Sequence, residues 1–139
     1  MGATVVRAGR VLQETLSARL ESEMDISLDE FEVLSGLDAA AEGRLRMKDI
    51  GAQLLVSKAG VTRLVDRLEA QGFAERAPCP SDRRVIWARI TPAGRAVLAR
   101  AVPMADAVMA ELVGARLAPD EVTSTQAALA LLSEGAWKR

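Results

Sequence analysis

The 139-residue chain has no histidine, no tyrosine and one cysteine, Cys79. Without histidine it lacks the usual general base and the commonest transition-metal ligand, and without tyrosine the phenolic acid. One thiol and no imidazole cannot make a protein-only zinc site or a Cys–His nucleophile within a chain. No Gly-x-Gly-x-x-Gly or Gly-x4-Gly-Lys-Ser/Thr loop is present to cradle a nucleotide. The expectation is a chain that is not an enzyme and holds no cofactor or metal. A single cysteine cannot close an internal disulfide, which agrees with a reducing compartment. No apolar run approaches the roughly 18 to 20 residues of a bilayer span. Arg7 and Arg10 interrupt the N-terminus, and no apolar h-region of a secretory signal follows. A cytoplasmic protein without membrane contact is expected.

What is present is half hydrophobic and 27% charged, which suits one folded domain with an appended element. The net charge of −1 conceals an uneven distribution. Residues 1–43 carry three arginines against nine acids, a net −6, whereas residues 44–91 carry ten bases against five acids, a net +5. Residues 92–139 balance. A basic middle between acidic or neutral flanks points to a local polyanion site on a repelling body.

Hydrophobic periodicity predicts a first helix over about Thr4–Ser22, with Val5, Leu12, Leu16 and Leu20 close to one stripe. Ser27-Leu28-Asp29-Glu30 is a capping box opening a second helix, which Gly43 ends. A short third helix fits Lys48–Leu55. In the fourth, Ser57 is the N-cap, Val61, Leu64, Val65 and Leu68 form the buried stripe, and Gly72 closes the helix. The opposite face shows Ala59, Thr62, Arg63, Asp66 and Arg67, small and basic residues suited to a major groove. Phe73–Ala77 and Val85–Ile90 read as two short strands around a turn ending in Arg83-Arg84. An exposed basic helix followed by a basic-tipped hairpin is a winged helix-turn-helix. Thr91-Pro92 then starts a long helix towards Gly114, bent near Pro103. Pro119-Asp120-Glu121 opens a last helix with Val122, Leu129 and Leu132. The terminal helices have no obvious core of their own, and a C2 dimer would bury them.

Val61-Thr62-Arg63-Leu64-Val65-Asp66-Arg67-Leu68-Glu69, then Gly72-Phe73, Asp82-Arg83-Arg84 and Ile90-Thr91-Pro92-Ala93-Gly94, resembles the MarR family of bacterial transcriptional regulators. The resemblance implies a mainly α fold with a small β-wing. Residues 28–91 would form the DNA-binding domain, and 1–27 with 92–139 the dimerisation helices. It implies a homodimer on double-stranded DNA, acting on a palindromic operator as a repressor released by a small anionic or phenolic effector. Ser57, Lys58, Ala59, Thr62, Arg63 and Arg67 would face DNA from the helix, and Arg83 and Arg84 from the wing. Arg84 is the arginine of the family's Asp-x-Arg wing motif, and Asp82 would hold the wing arginines. Metal-sensing and peroxide-sensing branches use His, or a reactive N-terminal Cys with Tyr partners, which this chain lacks.

Each residue also has a plainer reading. The cations could form a solvated face. Asp66 could pair with Arg63, Arg67 or a wing arginine, and so orient the wing rather than meet DNA. Arg44, Arg46 and Lys48 are expected to supply backbone contacts at most. Gly51 and Gly60 suggest close helix approach, and Cys79 an incidental surface thiol. Trp87 and Trp137 read as packing residues, and Arg7, Arg10 and Arg19 as solvating the first helix. The rival reading is a winged-helix dimer whose basic face docks an acidic protein.

Overall fold

A computed structural model describes residues 2–54, 56–79, 82 and 84–136. Six α-helices and three short strands follow in the order α1 (Gly2–Met24), α2 (Leu28–Ala39), β1 (Arg44–Arg46), α3 (Met47–Leu54), α4 (Lys58–Ala70), β2 (Ala74–Pro78), β3 (Ile86–Ile90), α5 (Pro92–Met109) and α6 (Pro119–Ala136). The result is mainly α with a small antiparallel sheet of order β1-β3-β2.

Local chemistry explains most boundaries. Ser27 Oγ accepts from the Glu30 amide at 3.2 Å while Glu30 Oε2 accepts from the Ser27 amide at 2.7 Å, completing the capping box. Helix α2 stops sooner than its glycine suggested. A 3-10 turn over Ala41–Gly43 intervenes, with Glu42 and Gly43 both at positive φ. At the end of α4, Gly72 takes φ 75°, and the Phe73 and Gly72 amides donate to the Leu68 and Glu69 carbonyls. That pair of bonds satisfies the last turn, and it needs a residue tolerant of left-handed backbone. Strand β1, three residues long, is too short to show a periodicity in the sequence.

The main core gathers Val33, Leu34 and Leu37 of α2, Ile50 of α3, and Val61, Leu64, Val65 and Leu68 of α4. Ala74, Ala88 and Ile90 of the sheet and Val97 and Leu98 of α5 complete it. A smaller cluster of Leu20, Ile26 and Ala101 joins α1 to α5. Two close approaches lock these layers. A Cβ on Gly94 would lie 2.1 Å from the Phe73 carbonyl oxygen, so α5 can start against the end of α4 only with hydrogen there. A Cβ on Gly51 would lie 3.1 Å from Val61 Cγ2, in line with a tight α3–α4 contact, whereas one on Gly60 meets Val56 at an ordinary 3.4 Å.

Helix α5 runs through Pro103 as one α segment, and the change of winding comes later, as a π turn over Ala110–Gly114. Arg19 does more than solvate α1: it pairs with Glu23 at 2.9 Å and reaches Glu111 of that π turn at 3.7 Å. The hydrogen bond and charge of Glu23, then the charge of Glu111, hold its guanidinium pKa above the ordinary value. Large apolar side chains stay exposed on the terminal helices: Val5, Val6 and Val11 on α1, Leu129 and Leu131 on α6. Among the described residues, no helix is long and apolar enough to cross a membrane.

Candidate nucleic-acid interface

Helix α4 presents its polar face because its other face is consumed by the core. Val61, Leu64, Val65 and Leu68 are buried, and Lys58, Ala59, Thr62 and Arg63 are exposed. Ser57 caps the helix, its Oγ accepting from the Gly60 amide at 3.2 Å. The Thr62 hydroxyl donates back to the Lys58 carbonyl at 3.0 Å on the exposed face.

A groove of about 950 Å³ runs between α3, the first half of α4 and the wing. Arg46, Lys48, Lys58 and Arg84 line it, with Met47, Val56, Val85 and Ile86 among its apolar members. Sequence positions 46, 48, 58 and 84 are thereby brought to one face.

The β2–β3 hairpin forms the wing, with Ala74 opposite Ile90 and Pro78 opposite Ile86. Asp82 shapes its tip through the backbone: Oδ1 accepts from the Arg84 amide at 2.9 Å, and its carbonyl accepts from Val85 at 3.0 Å. This is an Asx-type turn, in which a carboxylate replaces a backbone acceptor. Among the wing arginines, Asp82 thus contacts the main chain of Arg84. Arg83 lies outside the described residues, as does Trp137. Cys79 is a half-buried thiol near the tip, its amide donating to the Val85 carbonyl at 2.9 Å.

Two side chains of α4 make ion pairs to other elements. Arg67, although exposed, reaches α2: its Nε lies 2.9 Å from Oε1 of the fully buried Glu30, and Nη2 donates to Oε2 at 3.3 Å. The reason is angular. Arg67 follows Leu64 by three residues, on the flank beside α2. Gln71 adds a second tie there, Nε2 donating to the Asp25 carbonyl at 3.0 Å. Asp66 pairs with an arginine of the wing strands, Arg76 of β2, at 2.7 Å. Glu30 and Arg76 were not singled out from the sequence. Glu30 had been read only as a cap, and no local pattern marks an arginine inside a strand.

The ion pairs sort the basic middle of the chain into two sets. Arg44, Arg67, Arg76 and Arg89 each have a carboxylate partner. Lys48, Lys58, Arg63 and Arg84 make no ion pair with a described carboxylate, and all four are exposed. Arg46, and Arg44 besides its ion pair, flank Trp87, their guanidinium carbons 5.3 and 4.8 Å from its ring centre, on the sheet face away from the core. Trp87 therefore packs, but against cations. Among the described residues, no cluster of three Cys, Asp or Glu side chains could hold a metal ion. The arrangement offers unneutralised positive charge on a convex helix and a neighbouring hairpin, a shape that fits a polyanion with grooves.

A sequence model of the MarR family matches residues 24–85. The multiple antibiotic resistance protein MarR of Salmonella typhimurium is 34% identical over 76 residues, which are 55% of this chain and 51% of that protein. The chain thus spans about half the length of that relative. YkoM of Bacillus subtilis, an uncharacterised HTH-type transcriptional regulator, is 32% identical over 105 residues, 76% of this chain and 66% of the relative. Among solved structures, Sco3205 of Streptomyces coelicolor, a MarR family transcriptional regulator in complex with DNA, superposes with a TM-score of 0.84. It is 26% identical and covers 96% of this chain and 83% of its own. Fold and sequence agree from the α1–α2 corner to the wing, and the chain belongs to the MarR family.

Proposed function

We propose that the protein is a transcriptional regulator that binds double-stranded DNA as a homodimer. The observation that carries the reading is the segregation of cations without an ion partner among the described residues. Lys58 and Arg63 stand on the exposed face of α4, and Lys48 and Arg84 flank it across one groove. A helix of 13 residues, about 20 Å long, fits a major groove about 12 Å wide. Arg63, Thr62 and Ala59 meet base edges there, Lys48 and Lys58 meet phosphates, and the wing arginines reach the adjacent minor groove. The similar Sco3205 was solved with DNA bound, which supports this use of the fold.

Two copies related by a two-fold axis read a palindrome with half-sites one helical turn, about 34 Å, apart. Occupying such a site excludes polymerase, which makes the regulator a repressor. A small anionic or phenolic effector between the dimer helices and the winged domain releases it by holding the two α4 helices at another spacing. A regulator of this kind works on the chromosome, in the cytoplasm.

The test is an anisotropy titration against random duplex DNA at two salt concentrations, followed by sequencing of the bound fraction. Recovery of a palindrome, with affinity falling steeply as salt rises, is the expected result. Weak, salt-indifferent binding by protein shown free of bound ligand by mass spectrometry would instead favour an acidic protein as the partner of this face.

A further inference from the structure

Strand β2 is an edge strand of the sheet, and the hairpin it forms with β3 carries Arg84 at its tip. A two-stranded hairpin is marginal by itself and is free to sway unless something holds it. Arg76, in the middle of β2, supplies a hold on α4. Its Nη1 meets Asp66 Oδ1 at 2.7 Å and also pairs with Glu69 Oε2. Its Nη2 donates to the Thr62 carbonyl at 3.0 Å, and its amide donates to Glu69 Oε1 at 2.7 Å. Thr62, Asp66 and Glu69 occupy successive turns on one flank of α4, so a single guanidinium grips two turns of the helix. The side chain is only 25% exposed and faces two carboxylates, which makes it a poor phosphate ligand although it borders the groove.

We propose that Arg76 is a positioning residue that fixes the wing against α4, so that Arg84 and the helix cations reach the duplex as one rigid unit. The inference rests on the DNA-binding reading above. The physical reason is pre-organisation. A wing already held at its working angle loses less freedom on binding than one that must be ordered there. Lysine cannot take over, because one ammonium does not span the fork from Thr62 to Glu69.

The probe is the duplex that the wild-type chain selects from a random pool, titrated by anisotropy at fixed salt. Arg76→Met and Arg84→Ala are each expected to weaken binding about tenfold, and the double variant no more than the weaker single, because a displaced wing no longer delivers Arg84. Losses that multiply in the double variant overturn the proposal, as does an Arg76→Lys variant with full affinity. If Arg76→Met does not fold, Glu69→Gln replaces it in the cycle. It is expected to show a smaller loss, about threefold, that is again absent in the Arg84→Ala background. Should the wild-type chain select no duplex, the DNA reading fails separately. Amide exchange on the full chain then decides the positioning: faster exchange in β2 and in α4 between Thr62 and Glu69, with α2 and α5 unchanged, supports it, and unaltered exchange refutes it.

Discussion

Lys48 stands exposed one residue into α3, without a described carboxylate beside it, at the edge of the groove that α4 and the wing share. On the DNA-binding reading proposed above, a side chain so placed would meet a phosphate and carry no base information. Lys48→Ala is expected to weaken binding equally on all duplexes and to lower the slope of log affinity against log salt by about one. An unchanged slope would remove Lys48 from the interface. Glu32, on α2, has a different signature. Partial desolvation of this otherwise exposed side chain, then the charge of Asp29, holds its carboxyl pKa above the usual carboxylate value of 4.5. Its folded form therefore binds a proton more readily than its unfolded form. The stability it contributes is fully present below the unfolded pKa and is lost as pH rises through the folded one. Glu32→Gln should accordingly raise the melting temperature at pH 7 and leave it near wild type at pH 3.5. An equal shift at both pH values would show that charge is not the cause.

At the scale of elements, the motif residues after α4 serve the joint between α4 and α5 rather than the surface. Thr91 donates its amide to the Phe73 carbonyl at 3.0 Å and its hydroxyl to the Gly72 carbonyl at 2.7 Å. The same hydroxyl accepts from the Gly94 amide at 3.0 Å and so caps α5. Gly94 fills the remaining space, with the Phe73 carbonyl carbon 3.0 Å and Ile90 Cγ1 2.9 Å from where a Cβ would sit. Gly94→Ala is expected to cost about 1–3 kcal/mol through forced separation of α4 and α5, lowering the melting temperature by several degrees. A wild-type melting curve would mean that the joint relaxes freely. The capping signals at Ser27, Ser57, Gly72 and Thr91 were all readable in advance, because each acts within a few residues of itself. The end of α2 was less so, since a 3-10 turn with two residues at positive φ separates its last turn from Gly43.

For the whole molecule, the notable feature is apolar surface left uncovered by one chain. Val6 is 65% exposed and Leu131 is 72% exposed, while Leu20 and Ile26, further along the same layer, are fully enclosed with Ala101. A two-fold partner would cover the outer ends of α1 and α6 and set the separation of the two α4 helices. Val6→Glu is therefore expected to shift the sedimentation profile from dimer towards monomer and, with it, to lose tight binding to a two-half-site duplex. A profile unchanged by the substitution would place the contact elsewhere. Two ties, Arg67 to Glu30 and Gln71 to the Asp25 carbonyl, join α4 to the α1–α2 corner. Helix α4 is thus held from the α1–α2 corner as well as from the wing.

By itself, the sequence determined what short-range chemistry controls: the helix starts and stops, the buried stripe of α4, the alternation of β3 and the uneven charge that marks the middle of the chain. It also excluded chemistry that needs a histidine or tyrosine of this chain, since side chains that are absent cannot act. Only the tertiary structure decided which cations remain available. Arg63 and Arg67 lie four residues apart on one helix, yet Arg67 is taken by Glu30, 37 positions earlier, and Arg63 is left without an ion partner among the described residues. Arg76 and Arg84 belong to one hairpin, yet Arg76 is held by two carboxylates of α4. Charge pairing depends on distances of a few ångströms between remote segments, and no local pattern encodes those distances.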